Sequence, residues 1–436
     1  MAYLIKPCKK IQGVINNIPG DKSISHRAVI ISSIAKGNTL VENFSYSDDC
    51  EATLKASRLL GIKIKKIGKC RLRIYGKGLF GLSKPVNKIN LGESGTSMRL
   101  LIGLLSGQNF NATLEAKGSL RKRPMLRVIQ PLRLMAANIK ACKKGKEEFP
   151  PVKIYPSPLK AISWRMSIPS AQVKSAILLA GLYAKGRTKI YEPIKSRDHT
   201  ERMLKLFGAD IKLRGKNIYI RQSDLISPKK IYVPSDISSA SFFMVLASLL
   251  EGSRVTIENV SLNPSRRGVI DVLKKMGADI KVIYKRRNYF EPMADLVIKS
   301  SKLKGIVVRE DIMPRLIDEL PVLMVAASLA KGRSVFEGIA ELRVKETDRI
   351  KSMAANLSRM GVKIKVKTKA NKEIIVVEGA ETLKGASLKS FGDHRTAMSM
   401  IIAALCANSP SRLDDIKCIS KSFPDFLRTL YGFLRK

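Results

Sequence analysis

Apolar and polar positions along this chain follow two rhythms. Runs such as SFFMVLASLL (Ser241–Leu250) and LPVLMVAASLA (Leu320–Ala330) are apolar on every side of a helical wheel. At about ten residues they are too short to span a bilayer, and they predict helices buried nearly all round. Other stretches alternate apolar residues with lysine, the pattern of a strand with one wet face. A fixed grammar joins a helix to such a strand: SRLLGIKIKK from Ser57, LKLFGADIKLRG from Leu204, LKKMGADIKVI from Leu273 and LSRMGVKIKVK from Leu357. In each, the helix ends at Gly, which takes a left-handed cap without steric cost. LRLMAANIKACKK from Leu132 is a degenerate fifth copy without the Gly.

A second pattern recurs six times, at a period of roughly 65–80 residues, longer than a solenoid unit. A polar cluster precedes an apolar helical run, a turn and a short strand. The clusters are GDKSISHR (Gly20–Arg27), GESGTSMR (Gly92–Arg99), PSAQVKS (Pro169–Ser175), PSDISSAS (Pro234–Ser241), the Asp318-Glu319 pair, and GDHRTAMS (Gly392–Ser399). The turns fall at Gly37, Gly107, Gly186, Gly252, Gly332 and Ser409. This predicts six copies of one α/β subdomain. Each copy sets small polar and basic residues at a helix start, where unpaired N–H groups and the helix dipole favour anions. Six such starts converging would suit a polyanionic small molecule.

The 436 residues suggest two domains. Six cysteines show no CxxC spacing or metal-ligand grouping, and the N-terminus MAYLIKPCKK has no signal-peptide core. Both point to a cytoplasmic protein with reduced thiols. The net charge of +44 raises the question of nucleic acid. The lysines are spread along the whole chain, however, without a basic tail, zinc-finger spacing or aromatic RNA-recognition motif. The expected ligands are small anions steered by the field, with no nucleic-acid or membrane partner.

Candidate chemistry gathers in the polar clusters. Lys22 and Arg27 flank Ser23 and Ser25. Arg99 lies one turn from Thr96, Arg123 precedes Pro124, and Arg197 follows Ser196. Lys345 and Arg349 share one face if KETDR is helical, Arg395 opens the last apolar helix, and Lys421 sits in SKSFP. Arginine offers a planar fork and lysine a mobile point charge to phosphate or carboxylate. Asp318 and Glu346 are the candidates for proton transfer, and Asp318 also stands where a helix cap belongs. All three histidines, His26, His199 and His394, lie beside arginine and suggest supporting roles. There is no GxxxxGK[ST], HExxH or GxSxG pattern, and no GxGxxG after an opening strand. The expected chemistry therefore needs no metal and no cofactor.

Taken in order, PGDKSISHR, LGESGTSMR, KRPM, PSAQ, RVKETDR, GDHR and KSFP resemble the 5-enolpyruvylshikimate-3-phosphate synthase family from about Ile11 to Pro424. The resemblance implies an α/β enolpyruvyl-transferase fold with six βαβαββ repeats in two pseudo-three-fold domains. Domain I would comprise 1–19 plus 235–436 and domain II 20–234, with crossings near Pro19-Gly20 and Pro234-Ser235. It implies an enzyme that joins phosphoenolpyruvate to shikimate 3-phosphate, and a monomer is expected. By the resemblance, Lys22, Ser23, Arg27, Ser170, Gln172, Ser196, Arg197, Asp318 and Lys345 would hold shikimate 3-phosphate. Lys22, Gly95, Thr96, Arg123, Gln172, Arg349, Arg395 and Lys421 would hold phosphoenolpyruvate. Asp318 would take the 5-hydroxyl proton, and either Glu346 or Lys22 would protonate the methylene carbon.

SAQVK and RDHTE resemble the family's second class, often tolerant of glyphosate. Three positions depart from family patterns: Glu93 stands where many members have Asn, Ser265 where Thr is expected, and Leu100 where first-class members have Pro. The alternative is the sister family that acts on UDP-N-acetylglucosamine. That family carries a reactive Cys five residues before the Arg-Pro pair, where this chain has Gly118.

Overall fold

Hydrogen-bonded backbone in the computed structural model follows the sequence pattern closely. The structure describes residues 2–285, 290–369 and 372–434. The chain forms two compact units, Gly20–Val233, and Met1–Pro19 together with Pro234–Lys436.

Each unit is built on three buried helices. In the first they are α1 (Lys22–Ser33), α2 (Gly95–Leu105) and α3 (Ala171–Gly181). In the second they are α4 (Ile237–Leu249), α5 (Leu320–Ser328) and α6 (His394–Leu405). Every residue of α5 and α6 is buried, and α4 is buried from Ile237 to Ser248. This is what the all-round apolar runs require. Helices α4, α5 and α6 pack on one another, as do α1 with α2 and α2 with α3. Gly103 permits the α2–α3 approach: a Cβ there would lie 2.3 Å from the Ala176 carbonyl oxygen.

Among the described residues, three sheets per unit cover these helices. In five of them four strands repeat one order, a parallel pair followed by two antiparallel partners. In the sheet of Lys36–Glu42 the order runs Lys230–Tyr232, Lys36–Glu42, Arg71–Lys77, Lys63–Gly68. Lys230–Tyr232 is thus a distant segment that supplies the parallel edge. Gln12–Ile15 does the same beside Arg254–Ser261. In the sixth sheet Tyr3–Ile5 pairs antiparallel with Ser411–Leu413 and stands in for a hairpin. Outer strands show the expected alternation: Ile64 is buried between exposed Lys63 and Lys65.

The helix–Gly–strand grammar has a backbone cause. Gly61, Gly208, Gly277 and Gly361 all take positive φ, between +81° and +97°. Ala136, in the fifth copy, takes the same turn at φ +69°. The fold therefore imposes a left-handed residue even where the sequence supplies a Cβ. That costs Ala about 1–2 kcal/mol against Gly in the folded state, offset in part by the entropy of the unfolded chain. Replacing Ala136 by Gly should stabilise the chain by roughly 0.5–1 kcal/mol. Gly208→Ala, whose Cβ would meet nothing within 4 Å, should destabilise it by about 1 kcal/mol through backbone strain alone. Urea unfolding midpoints check both, and a lower midpoint for Ala136→Gly would contradict the account.

Candidate active site

A buried helix start has N–H groups that need acceptors. In the Gly20–Val233 unit these come from Asp21, Ser94 and Ser170, whose side chains accept from Ile24, Ser97 and Val173 N–H at 3.0, 3.3 and 3.4 Å. Each cap contributes about 1 kcal/mol and holds the neighbouring polar residues in place. Lys22 opens α1, and its Nζ meets Asp49 Oδ2 at 2.7 Å. Ser23 is half-buried beside it. Arg27, one turn further, is buried and donates to Thr200 Oγ1, the Ser23 carbonyl and Ser175 Oγ at 2.6, 2.8 and 2.8 Å. Arg27 therefore also braces α1 against α3 and the helix His199–Leu206.

At the start of α2, Gln172 links two groups. Its Nε2 donates to Thr96 Oγ1 at 2.9 Å, and its Oε1 accepts from Arg99 Nη1 at 2.6 Å. Gly95 lies beneath two guanidinium groups. A Cβ there would be 2.8 Å from Arg123 Nη1 and 3.0 Å from Arg99 Nη1. Two like charges so close to one backbone position and to a helix N-terminus create a strongly anion-attracting spot.

Ser170 caps α3, while Ser196 and Arg197 lie on the loop before the helix His199–Leu206. Ser196 donates its N–H and Oγ–H to Glu192 Oε1 at 2.9 and 2.5 Å. Glu192 Oε2 in turn accepts from the buried Lys174 Nζ at 3.0 Å, and Lys174 also meets Glu201 at 2.7 Å. Burial pulls the Lys174 ammonium down, but Glu201 and Glu192 outweigh it and the net shift is upward. The lysine of SAQVK and the glutamate of RDHTE are thus one buried ion pair, which their separation in sequence conceals.

In the other unit Arg349 is the centre of charge. It opens the helix Arg349–Arg359 and is 2% exposed. Its Nε meets Asp393 Oδ2 at 2.8 Å, Nη2 meets Glu346 Oε2 at 2.6 Å, and Nη1 meets Asp318 Oδ1 at 3.3 Å. Burial opposes its charge, but Asp393, Glu346 and Asp318 overcome that and hold the guanidinium firmly protonated. Asp393 also caps α6, where its Oδ1 accepts from Arg395 and Thr396 N–H at 2.7 and 3.3 Å. Arg395 is 7% exposed, and its guanidinium makes no hydrogen bond or ion pair among the described residues. Lys421 ends the 3-10 turn Lys417–Lys421 and donates to the Gly392 carbonyl at 3.2 Å, also at the α6 start.

Three details differ from the sequence reading. The KETDR segment is not helical through Lys345, which is extended after the 3-10 turn Ala340–Val344, and the helix begins only after the Asp348 cap. Lys345 and Arg349 converge nonetheless, at 3.8 and 3.3 Å from Asp318 Oδ1. The cap position of α5 belongs to Glu319, not Asp318, and carries no side-chain cap bond. Glu319 instead accepts from Ser238 Oγ and faces buried Arg266 at 3.5 Å. Finally, His26 Nδ1 pairs with Thr53 Oγ1 at 2.7 Å rather than with an arginine. Burial, with Lys22 and Arg27 nearby, holds its pKa well below the usual histidine range.

Among the described residues no group of three or more His, Cys, Asp or Glu is placed to hold a metal ion. No helix there is long and apolar enough to cross a membrane. The sequence reading overlooked Glu192 and Asp393 as organisers. Asp393 had a local signal, an Asp opening an apolar helix. Glu192 had none, because its ionic partner Lys174 lies on α3, brought close only by packing.

The comparisons agree with this geometry. The profile of EPSP synthase (3-phosphoshikimate 1-carboxyvinyltransferase) matches residues 5–430. A 3-phosphoshikimate 1-carboxyvinyltransferase of Geotalea daltonii is 49% identical over 427 residues, covering 98% of each chain. One of Thermoanaerobacter pseudethanolicus is 44% identical, with the same coverage. A solved EPSP synthase from Acinetobacter baumannii superposes with a TM-score of 0.86 at 44% identity, covering 99% of this chain and 97% of that one. With capped helix starts, six sheets among the described residues and similarity along nearly its whole length, the chain belongs to the EPSP synthase family and has the enolpyruvyl-transferase fold.

Proposed function

We propose that this chain transfers the enolpyruvyl group of phosphoenolpyruvate to the 5-hydroxyl of shikimate 3-phosphate. The observation that carries the site assignment is Arg395, a buried cation with no counter-ion among the described residues, at a helix start it shares with Lys421. Leaving such a charge uncompensated is costly, and an anionic substrate offsets the cost. Lys22, Gly95, Thr96, Arg123, Gln172, Arg349, Arg395 and Lys421 are assigned to phosphoenolpyruvate. Lys22, Ser23, Arg27, Ser170, Gln172, Ser196, Arg197, Asp318 and Lys345 are assigned to shikimate 3-phosphate.

In this reading Asp318 takes the 5-hydroxyl proton while the oxygen adds to C2 of phosphoenolpyruvate. The methylene carbon gains a proton and becomes a methyl group. Loss of phosphate, with loss of a proton from that methyl, regenerates the vinyl ether. Lys345 and Arg349 both approach Oδ1 of Asp318 and orient the carboxylate that is assigned to the hydroxyl. Two groups compete as proton donor. The Lys22 ammonium already carries a proton. Glu346 is ion-paired with Arg349 and donates only after taking one up.

Mixing the chain with shikimate 3-phosphate and phosphoenolpyruvate should release one phosphate per enolpyruvyl ether formed, with and without EDTA. No phosphate release, or release abolished by EDTA and restored by a divalent ion, would contradict the reading. Asp318→Ala should lower turnover by about 10²–10⁴-fold, with both substrate affinities changed only a few-fold. Near-normal turnover with weakened binding would make Asp318 a ligand only. Arg395→Gln should raise the KM for phosphoenolpyruvate by about 10- to 100-fold and spare that for shikimate 3-phosphate. An unchanged KM for phosphoenolpyruvate would remove Arg395 from its assigned place.

A further inference from the structure

Arg123 reaches the α2 start from a loop, and something must hold that loop. Two of its hydrogen bonds tie it to the residues just before α2. Lys117 N–H donates to the Gly92 carbonyl at 2.7 Å, and Ser119 N–H donates to Glu93 Oε1 at 2.6 Å. The loop runs directly against the carboxylate: a Cβ on Gly118 would lie 1.9 Å from Glu93 Oε1, and Gly118 has φ +49°. The 3-10 turn Gly118–Lys122 then closes with Arg123 N–H on the Leu120 carbonyl at 3.1 Å. This delivers the guanidinium to within 2.8 Å of the Cβ position of Gly95, two residues from Glu93.

Glu93 therefore has two opposed effects on an anion bound at this spot. Its charge repels the ligand. Its carboxylate also accepts a strong charge-assisted bond from the loop that carries Arg123. We propose that Glu93 is a positioning residue: it ties the loop 117–123 to the start of α2, sets the Arg123 guanidinium for phosphoenolpyruvate, and in doing so outweighs its own repulsion. The proposal rests on the reading that Arg123 binds phosphoenolpyruvate.

Steady-state kinetics of the full chain separate these effects. Glu93→Ala removes both the charge and the acceptor, whereas Glu93→Gln removes the charge and keeps the acceptor. Loss of the tether should raise the KM for phosphoenolpyruvate about tenfold in Glu93→Ala, the scale of one hydrogen bond to a charged group. Turnover and the KM for shikimate 3-phosphate should stay within about twofold. Glu93→Gln should restore the KM for phosphoenolpyruvate to about the parent value or below it. A role in folding alone would lower the melting midpoint and the active fraction without this split. Should Glu93→Ala not fold, Glu93→Asp shortens the arm by one methylene and should raise the same KM. An unchanged or lowered KM in Glu93→Ala, or in Glu93→Asp in its place, overturns the tether. Arg123→Ala is the control for the underlying reading. If it leaves the KM for phosphoenolpyruvate unchanged, the assignment of Arg123 falls and takes the proposal with it. If it raises that KM while the Glu93 variants do not, only the tether falls.

Discussion

The structure depends on satisfying helix starts that are buried inside each unit. A wet helix start can leave its N–H groups to water, but a buried one needs side-chain acceptors. Asp21, Ser94, Ser170, Asp236 and Asp393 meet that need at five of the six, while α5 opens at Glu319 without a side-chain cap bond and has Pro321, which lacks an N–H, in its first turn. Each cap also fixes the residues that follow it, and those residues include Lys22, Gly95, Thr96, Gln172 and Arg395. Packing and chemistry thus share one device. The apolar helices draw the starts inward, the caps satisfy their N–H groups, and the cations beside the caps favour anions there.

The cations are compensated unequally, and the inequality is informative. Arg349 is buried against three carboxylates, and Arg27 spends donors on Thr200, Ser175 and a carbonyl. Such groups hold geometry as well as charge. Arg395 has no such partner among the described residues, and Arg123 and Arg99 crowd the same Gly95. Much of the remaining positive charge is elsewhere, on exposed strand faces such as Lys63, Lys65, Lys363, Lys365 and Lys367. Those lysines contribute to the +44 total without entering either group of site residues.

Repeat, helix starts and strand faces were legible in the sequence because each is set by local chemistry. The apolar runs gave α4, α5 and α6, and the Gly turns marked the left-handed caps. Ala136 shows the limit of that reading: the turn persists although the residue that signals it is missing. The site was legible as separate cations beside each helix start. What stayed hidden was pairing across distance: Lys174 with Glu192 and Glu201, Arg349 with Asp393, and Glu93 with Ser119. No period or propensity encodes these, because each joins segments brought together only by packing. Lys345 misled for a related reason, since a helical spacing was inferred where the chain is extended and still reaches Asp318.

If the helix starts carry positive charge reserved for an anionic substrate, a phosphate-bearing ligand should stabilise the folded chain more than its dephosphorylated counterpart. Thermal unfolding during titration with shikimate 3-phosphate tests it most directly, with shikimate, which lacks the phosphate, as the control. A ligand that binds only the folded chain should stabilise it by about 2.7 kcal/mol at a hundred times its dissociation constant. The midpoint should therefore climb with the logarithm of shikimate 3-phosphate concentration, and shikimate should do far less over the same range. A midpoint that ignores shikimate 3-phosphate, or responds equally to shikimate, would contradict the account.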